Sequence, residues 1–196
     1  VAALEAGVVD SGHRVRCLGH IQLGNRAFHC WRRGGHASLS MISAIAQSCD
    51  VYFYDLALKG GVERIAAMAH RLGLGQTSGF DLPGEKHGLV PTPDWKRAMY
   101  DDAWQKGDSL NTAVGQGYLL ATPLQLAVMT ARLVNGGWAV TPHLTRSVGD
   151  ERRKDSPTRA LPKSIGLSHE TLAIATRGMG QVVNHVRGTA YSARIE

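Results

Sequence analysis

No apolar run in this sequence approaches the ~20 residues that a helix needs to cross a bilayer, so none of the 196 residues reads as part of a membrane span. Cysteine is scarce and odd in number. Cys17, Cys30 and Cys49 are the three present, all within 33 positions, which excludes a framework in which every thiol is paired. Aromatic residues make up 6% of the chain, and they do not interleave with the basic ones. The formal charge of +6 could suit an anionic partner such as nucleic acid, acidic lipid or cell-wall polymer. Without interleaved aromatics the charge does not by itself point to nucleic acid, and Arg152-Arg153-Lys154 reads as a solvated loop among Asp, Ser and Pro. Neither an initiator Met, a capping residue nor a targeting signal precedes Val1-Ala2-Ala3-Leu4-Glu5-Ala6-Gly7, which is helix-forming from its first residue.

With 43% hydrophobic residues, a chain of this length can bury the core of one domain. The stretch around which it is organised is Ser48-Cys49-Asp50, a short turn between two apolar segments. Upstream, residues 38 to 46 place Leu39, Ile42 and Ala46 on one helical face, with Ser38 or Ser40 as the capping hydroxyl. Downstream, Asp50 is placed to cap a helix from Val51 to about Lys59 that buries Phe53, Leu56 and Ala57 and stops at Gly60-Gly61. Ser and Asp are also ordinary cap residues and need no chemistry to stand there. A second stretch adds to the first: Val114-Gly115-Gln116-Gly117 is a Gly-x-Gly turn, and Thr122-Pro123 opens an apolar helix running to Val134.

Together, Ser48-Cys49-Asp50 and the Gly-Gln-Gly…Thr-Pro-Leu-Gln-Leu-Ala string resemble the transpeptidase domain of penicillin-binding proteins. The likeness covers nearly the whole chain and is closest to the class B, elongation-type branch, that of penicillin-binding protein 2. Three motifs meet in the cleft of that family: Ser-x-x-Lys, Ser-x-Asn or Ser-x-Asp, and Lys-Thr/Ser-Gly. Only the second is present. No Ser is followed three residues later by Lys, and Gly188-Thr189-Ala190 lacks the Lys of the third. The resemblance therefore implies a mainly α fragment of an α/β (α+β) serine transpeptidase fold. It would be residues 1–196 of a partial transpeptidase domain, lying between the nucleophile motif and the Lys-Thr-Gly strand and inactive alone.

The resemblance also implies the parent's chemistry. A serine outside this stretch would attack the penultimate D-Ala carbonyl of a peptidoglycan stem peptide, activated by its lysine, to give an acyl-enzyme that β-lactams mimic. Ser48 would relay a proton and Asp50 would orient the lysine and the acyl side chain. Asn is commoner than Asp at this third position, and Asp50 points toward the elongation subgroup. The turn at Gly115-Gly117 would buttress the floor of the cleft. The implied setting is the periplasmic face of the inner membrane, with an anchor outside this stretch, elongation machinery including a membrane glycosyltransferase as partners, no nucleic acid and no catalytic cofactor. Self-association of the fragment through uncovered apolar surface is a further expectation.

Along the chain, residues 10 to 37 show no sustained period, and a loop of that length in a compact domain needs something to tie it down. It holds Cys17 and Cys30 together with His13, His20, His29 and His36. Tetrahedral zinc takes four N or S ligands, and Cys17, Cys30, His36 and Cys49 form the candidate set for a closed structural site. His36 is chosen because the Gly34-Gly35 pair allows a tight return and because it leads into the helix that delivers Cys49. A Cys17–Cys30 disulfide, or three thiols packed as small hydrophobes, are the alternatives. A helix over 61 to 72 buries Val62, Ile65, Ala66 and Ala69 and leaves His70 on the surface. Residues 76 to 111 read as a long irregular connection, extended at 89 to 95, with Trp95 and Trp104 packing it to the body. The helix 123–134 is expected to turn Leu126, Met129, Thr130 and Leu133 inward. Residues 138 to 144 read as an edge strand, a polar mobile region runs to Lys163, and Ser168 caps a last helix from Glu170 to Asn184. The competing function is a basic, zinc-stabilised binding module for nucleic acid or another polyanion, which would explain the charge and the Cys/His segment but neither glycine turn nor helix start.

Overall fold

A computed structural model describes residues 1–144, the backbone of 147–148 and 151–152, and residues 162–195. Helices dominate. After the short α1 (Ala2–Glu5) come four strands, β1 (Arg14–Cys17), β2 (His20–Leu23), β3 (Arg26–His29) and β4 (Ala37–Ser40). Then follow α2 (Met41–Ala46), α3 (Asp50–Gly60), α4 (Val62–Leu72), α5 (Pro93–Tyr100), α6 (Lys106–Ala113) and α7 (Pro123–Val134). The two-residue strands β5 (Ser147–Val148) and β6 (Glu151–Arg152) pair with each other, and α8 (His169–Asn184) is followed by a single 3-10 turn at Tyr191–Ala193. This is an α-rich α+β fold with short strands.

Residues 10 to 37 are not a structureless loop. β1 pairs antiparallel with β4, from Arg14↔Ser40 to Cys17↔Ala37, and β2 with β3, from His20↔His29 to Leu23↔Arg26. Each strand is four residues long, too short for alternation to rise above chance in the sequence. β4 also takes Ser38 and Leu39 out of the expected helix. Leu39 is buried opposite Val15, and Ser40 becomes the N-cap, its hydroxyl accepting from Ser43 N at 3.4 Å. The N-cap of α3 is Cys49, with Asp50 at the first helical position, where its charge favours the helix N-terminus. That helix buries Val51, Tyr52, Tyr54 and Ala57, leaving Phe53 and Leu56 only half-buried.

The expected irregular connection over 76 to 111 contains α5 and part of α6. Thr92 accepts from Trp95 N at 3.2 Å and Pro93 takes the first helical position. This is the same start signal as Thr122-Pro123, and here proline begins a helix rather than ending one. α6 opens on a reciprocal capping box between Gln105 and Asp108. In α7 the boundaries agree with the sequence, but Leu126 and Thr130 are exposed while Gln125, Val128 and Leu133 are buried. Residues 138 to 144 form no strand; a single bridge joins Trp138 to Ser164. The polar region expected up to Lys163 falls largely outside the described residues, as do the side chains of Arg152-Arg153-Lys154.

The main core lies where α2, α3, α6 and α8 meet the strands. Leu39, Met41, Ala44, Val51, Tyr52, Tyr54, Leu110 and Ile174 pack there together with all three cysteines. α2 lies along α8, with Gly178 so near Ile45 that an added Cβ would come within 2.7 Å of that side chain. A second cluster, Met68, Leu72, Leu133, Leu172 and Ala175, joins α4, α7 and α8. The turn between α2 and α3 is therefore gripped by packed helices on both sides.

Candidate active site and thiol cluster

The last turn of α2 ends with Gln47 N donating to Ser43 O at 3.0 Å, Ser48 N to Ile45 O at 3.2 Å and Cys49 N to Ala44 O at 3.0 Å. Ser48 is thereby held at φ 50°, in the left-handed region, which for a non-glycine residue costs of order 1 kcal/mol and persists only where the surroundings over-determine it. The strain lifts its side chain out of the helix path. Ser48 is exposed, Cys49 beside it is fully buried and Asp50 is half-buried. Ser48, Asp50, Ile45, Phe53, Ala113 and Val114 line one groove, so the corner points its two polar side chains toward one opening and its thiol inward.

Both polar side chains have partners from distant chain. Ser48 Oγ lies 3.1 Å from Thr189 Oγ1, and Thr189 N donates to Ala46 O at 3.1 Å. Asp50 Oδ2 accepts from the backbone N–H of Trp31 at 2.8 Å. The Trp31 indole N–H donates to Gln47 O at 3.0 Å. The sequence points to Gly188-Thr189-Ala190 only through the lysine that segment lacks, and assigns Trp31 no role. No local signal marks either, because each meets the corner through the tertiary path of the chain.

On the inner side, Cys17 and Cys30 are 1% exposed and Cys49 0%. All three are free thiols. Together with His36 they bring one ligand atom each to within 4.8 Å of one another. His36 Nδ1 is 3.6 Å from Cys17 Sγ and 3.5 Å from Cys30 Sγ. A tetrahedral zinc with Zn–S of about 2.3 Å and Zn–N of about 2.0 Å separates S from N by about 3.5 Å, so the donor set fits that ion in type, number and spacing. Burial pushes the Cys30 and Cys49 thiols up, and burial followed by the Arg32 charge pushes His36 down. Each shift disfavours the charged form, as burial away from water dictates.

The backbone around the cluster is built closely. Cys30 N donates to Gly19 O at 2.8 Å and His36 N to Cys17 O at 3.1 Å. A Cβ on Gly19, at φ 92°, would meet Arg33 O at 2.0 Å, and one on Gly35, at φ 74°, would meet Cys17 O at 2.2 Å. Only glycine allows the two turns to close on each other. The remaining histidines lie elsewhere: His13 Nε2 is 2.8 Å from Asp55, and His20 faces His29 across β2 and β3.

A family model described as the penicillin binding protein transpeptidase domain matches residues 1–196. The chain belongs to the penicillin-binding protein transpeptidase family. It is 30% identical over 194 residues to peptidoglycan D,D-transpeptidase MrdA of Escherichia coli, covering 97% of this chain and 31% of that protein. Penicillin-binding protein 2 of Pseudomonas aeruginosa, solved in complex with WCK 5153, superposes with a TM-score of 0.85 at 41% identity, over 97% of this chain and 43% of that one. Penicillin-binding protein 2 of Helicobacter pylori, solved in complex with MreC, superposes with a TM-score of 0.87 at 32% identity, over 98% of this chain and 34% of that one. The chain spans under a third of the length of the curated relatives it matches. Family membership sets aside the basic binding module for nucleic acid, and no helix among the described residues is long and apolar enough to cross a membrane.

Proposed function

We propose that this chain is part of the catalytic domain of a class B, elongation-type peptidoglycan D,D-transpeptidase, which joins stem peptides through an acyl-serine and reacts with β-lactams. The observation that carries the reading is the corner itself. In a transpeptidase-family chain, a strained, exposed Ser48 and an anchored Asp50 share one groove. Ser48 carries a proton between the attacking or leaving amine and the lysine of the nucleophile motif, and Asp50 orients that lysine and the substrate acyl chain. The nucleophile and the Lys-Thr-Gly strand belong to other parts of the protein, since neither motif occurs here. Cys17, Cys30, His36 and Cys49 hold a structural zinc with no open position, which pins the β1–β4 region to the start of α3 and does no chemistry. Stem peptides and β-lactams are the ligands, and the setting is the periplasmic face of the membrane. The likeness to a relative solved with MreC supports cell-elongation proteins as partners.

Intact-mass spectrometry after incubation with benzylpenicillin tests the assignment of motifs. This chain alone should show no adduct, and a stoichiometric mass increase on one of its serines would overturn the reading. In the complete protein, Ser48→Ala should slow acylation by about 100-fold or more, the lower end of what a positioned proton carrier supplies. An unchanged acylation rate would remove Ser48 from the mechanism.

A further inference from the structure

Gln47 and Asp50 bracket the Ser48-Cys49 turn, and Trp31 holds both of them. Its backbone N–H anchors Asp50 Oδ2 at 2.8 Å, and its indole N–H caps the Gln47 carbonyl at 3.0 Å. That carbonyl is one of those left without a helical partner at the end of α2. The Gln47 C=O and the Ser48 N–H lie in one peptide plane. A hydrogen bond that fixes the plane therefore limits the φ of Ser48, which is observed at 50°. Trp31 also follows Cys30 directly, and its ring stands edge-on to that of His36 at 5.4 Å. Burial does not account for its position, because Trp31 is 58% exposed. An exposed indole gains little from the hydrophobic effect where it stands, so its hydrogen bond to Gln47 O and its edge-on contact with His36 are what hold it, while its backbone N–H, which a residue of any type but proline would supply, anchors Asp50.

We propose that Trp31 is a positioning residue for transpeptidation. Its indole N–H holds the 47–48 peptide plane and with it Ser48 in its left-handed conformation, from a segment whose backbone N–H anchors Asp50 and which links the thiol cluster to the corner. This rests on the roles given above to Ser48 and Asp50. With one carboxylate oxygen of Asp50 pinned, the other has a single direction in which to act, and with the 47–48 plane pinned the Ser48 hydroxyl starts from one place. Both effects raise the rate of the chemical step without adding a contact to the substrate.

The test uses the complete protein of which this chain is part. Trp31→Phe keeps an aromatic ring and the backbone N–H to Asp50 and loses only the indole N–H to Gln47 O. Trp31→His keeps a five-membered ring whose Nε2 falls where the indole Nε1 stood. Acylation by benzylpenicillin is followed to saturation, giving the limiting rate and the half-saturating concentration separately, with metal content and melting temperature measured on the same samples. Trp31→Phe should lower the limiting rate about tenfold and leave half-saturation within about twofold, the expected result of losing one neutral hydrogen bond that matters in the transition state. Trp31→His should recover most of the rate. The proposal is overturned if Trp31→Phe keeps the wild-type rate, if Trp31→His falls equally far, or if the loss tracks lost metal or a lowered melting temperature, since the role would then be structural. Ser48→Ala and Asp50→Asn run alongside. If they slow acylation while Trp31→Phe does not, only the Trp31 role fails; if they too are without effect, the corner assignment fails first.

Discussion

Gln125 shows how one side chain can hold three separate pieces of backbone. It is 0% exposed. Its Oε1 accepts from Thr122 N at 3.0 Å, and its Nε2 donates to Gln76 O and His87 O, each at 2.8 Å. The sequence marks this helix start only by Thr122 and Pro123 and gives Gln125 no role; in the structure Gln125 completes the capping box and is the buried tie between α7 and the 76–88 segment. Gln125→Leu keeps the volume and leaves those three backbone groups without their partner. The expected cost is roughly 2 to 4 kcal/mol, read as a fall in melting temperature of roughly 5 to 10 °C for a chain of this size. A fall of under about 1 °C would mean that water replaces the amide at no cost. The corner residues teach the same lesson from the other side. Ser48 and Asp50 were legible as residues of interest because they sit at a break between two helical patterns. Thr189 and Trp31 were not, because their own neighbourhoods carry no sign of the partner each meets.

Helices are where the sequence was most legible, and the errors among them have a common cause. α7 begins at the predicted Thr122-Pro123 and ends at the predicted Val134, because caps act within one turn. α5 carries the same signal at Thr92-Pro93, where the proline that reads as a breaker among its neighbouring Gly and Pro residues instead opens a helix. The first and last helices are joined by a contact that makes a pH prediction. Glu5 in α1 accepts from Ser168 N at 3.0 Å and Ser168 Oγ at 2.7 Å, at the N-cap of α8. Burial works against its charge, but hydrogen bonds from Thr171 and Ser168 and the nearby Arg71 outweigh it, so its carboxyl titrates below the usual glutamate value. A depressed folded-state value stabilises the fold above the unfolded glutamate pKa of about 4.3, and that contribution is lost as pH falls through the lower folded value. Urea unfolding of the wild type and Glu5→Gln from pH 7 downward should give a stability difference that is constant above about pH 5 and shrinks toward pH 3. A difference independent of pH would show that the charge of Glu5 plays no part.

For the molecule as a whole, the thiol cluster is the test of how the strands are held. β1 and β4, the β3–Trp31 segment and the start of α3 converge on Cys17, Cys30, His36 and Cys49, beside the strand ladders and the core packing of Phe28 and Leu39. Protein purified without added metal should carry about one zinc per chain, and a chelator should lower its melting temperature, since a structural zinc contributes several kcal/mol or more. Less than about 0.2 zinc per chain with an unchanged melting temperature would leave packed thiols or a disulfide as the account. The sequence by itself determined what is decided within a few residues: the ends of α4 and α7, the break at 47 to 49, the want of an apolar run long enough for a spanning helix and, through its longer motif string, the family. Only the tertiary structure decided which face of α7 is buried, that residues 14 to 29 pair as strands, and that Trp31 and Thr189 reach a corner 16 and 141 residues away from their contacts at Gln47 and Ser48. The reason is range. Caps, glycine turns and helical periodicity act over about one turn of chain, whereas a site assembled from distant segments depends on the path of the whole chain, which no local pattern records.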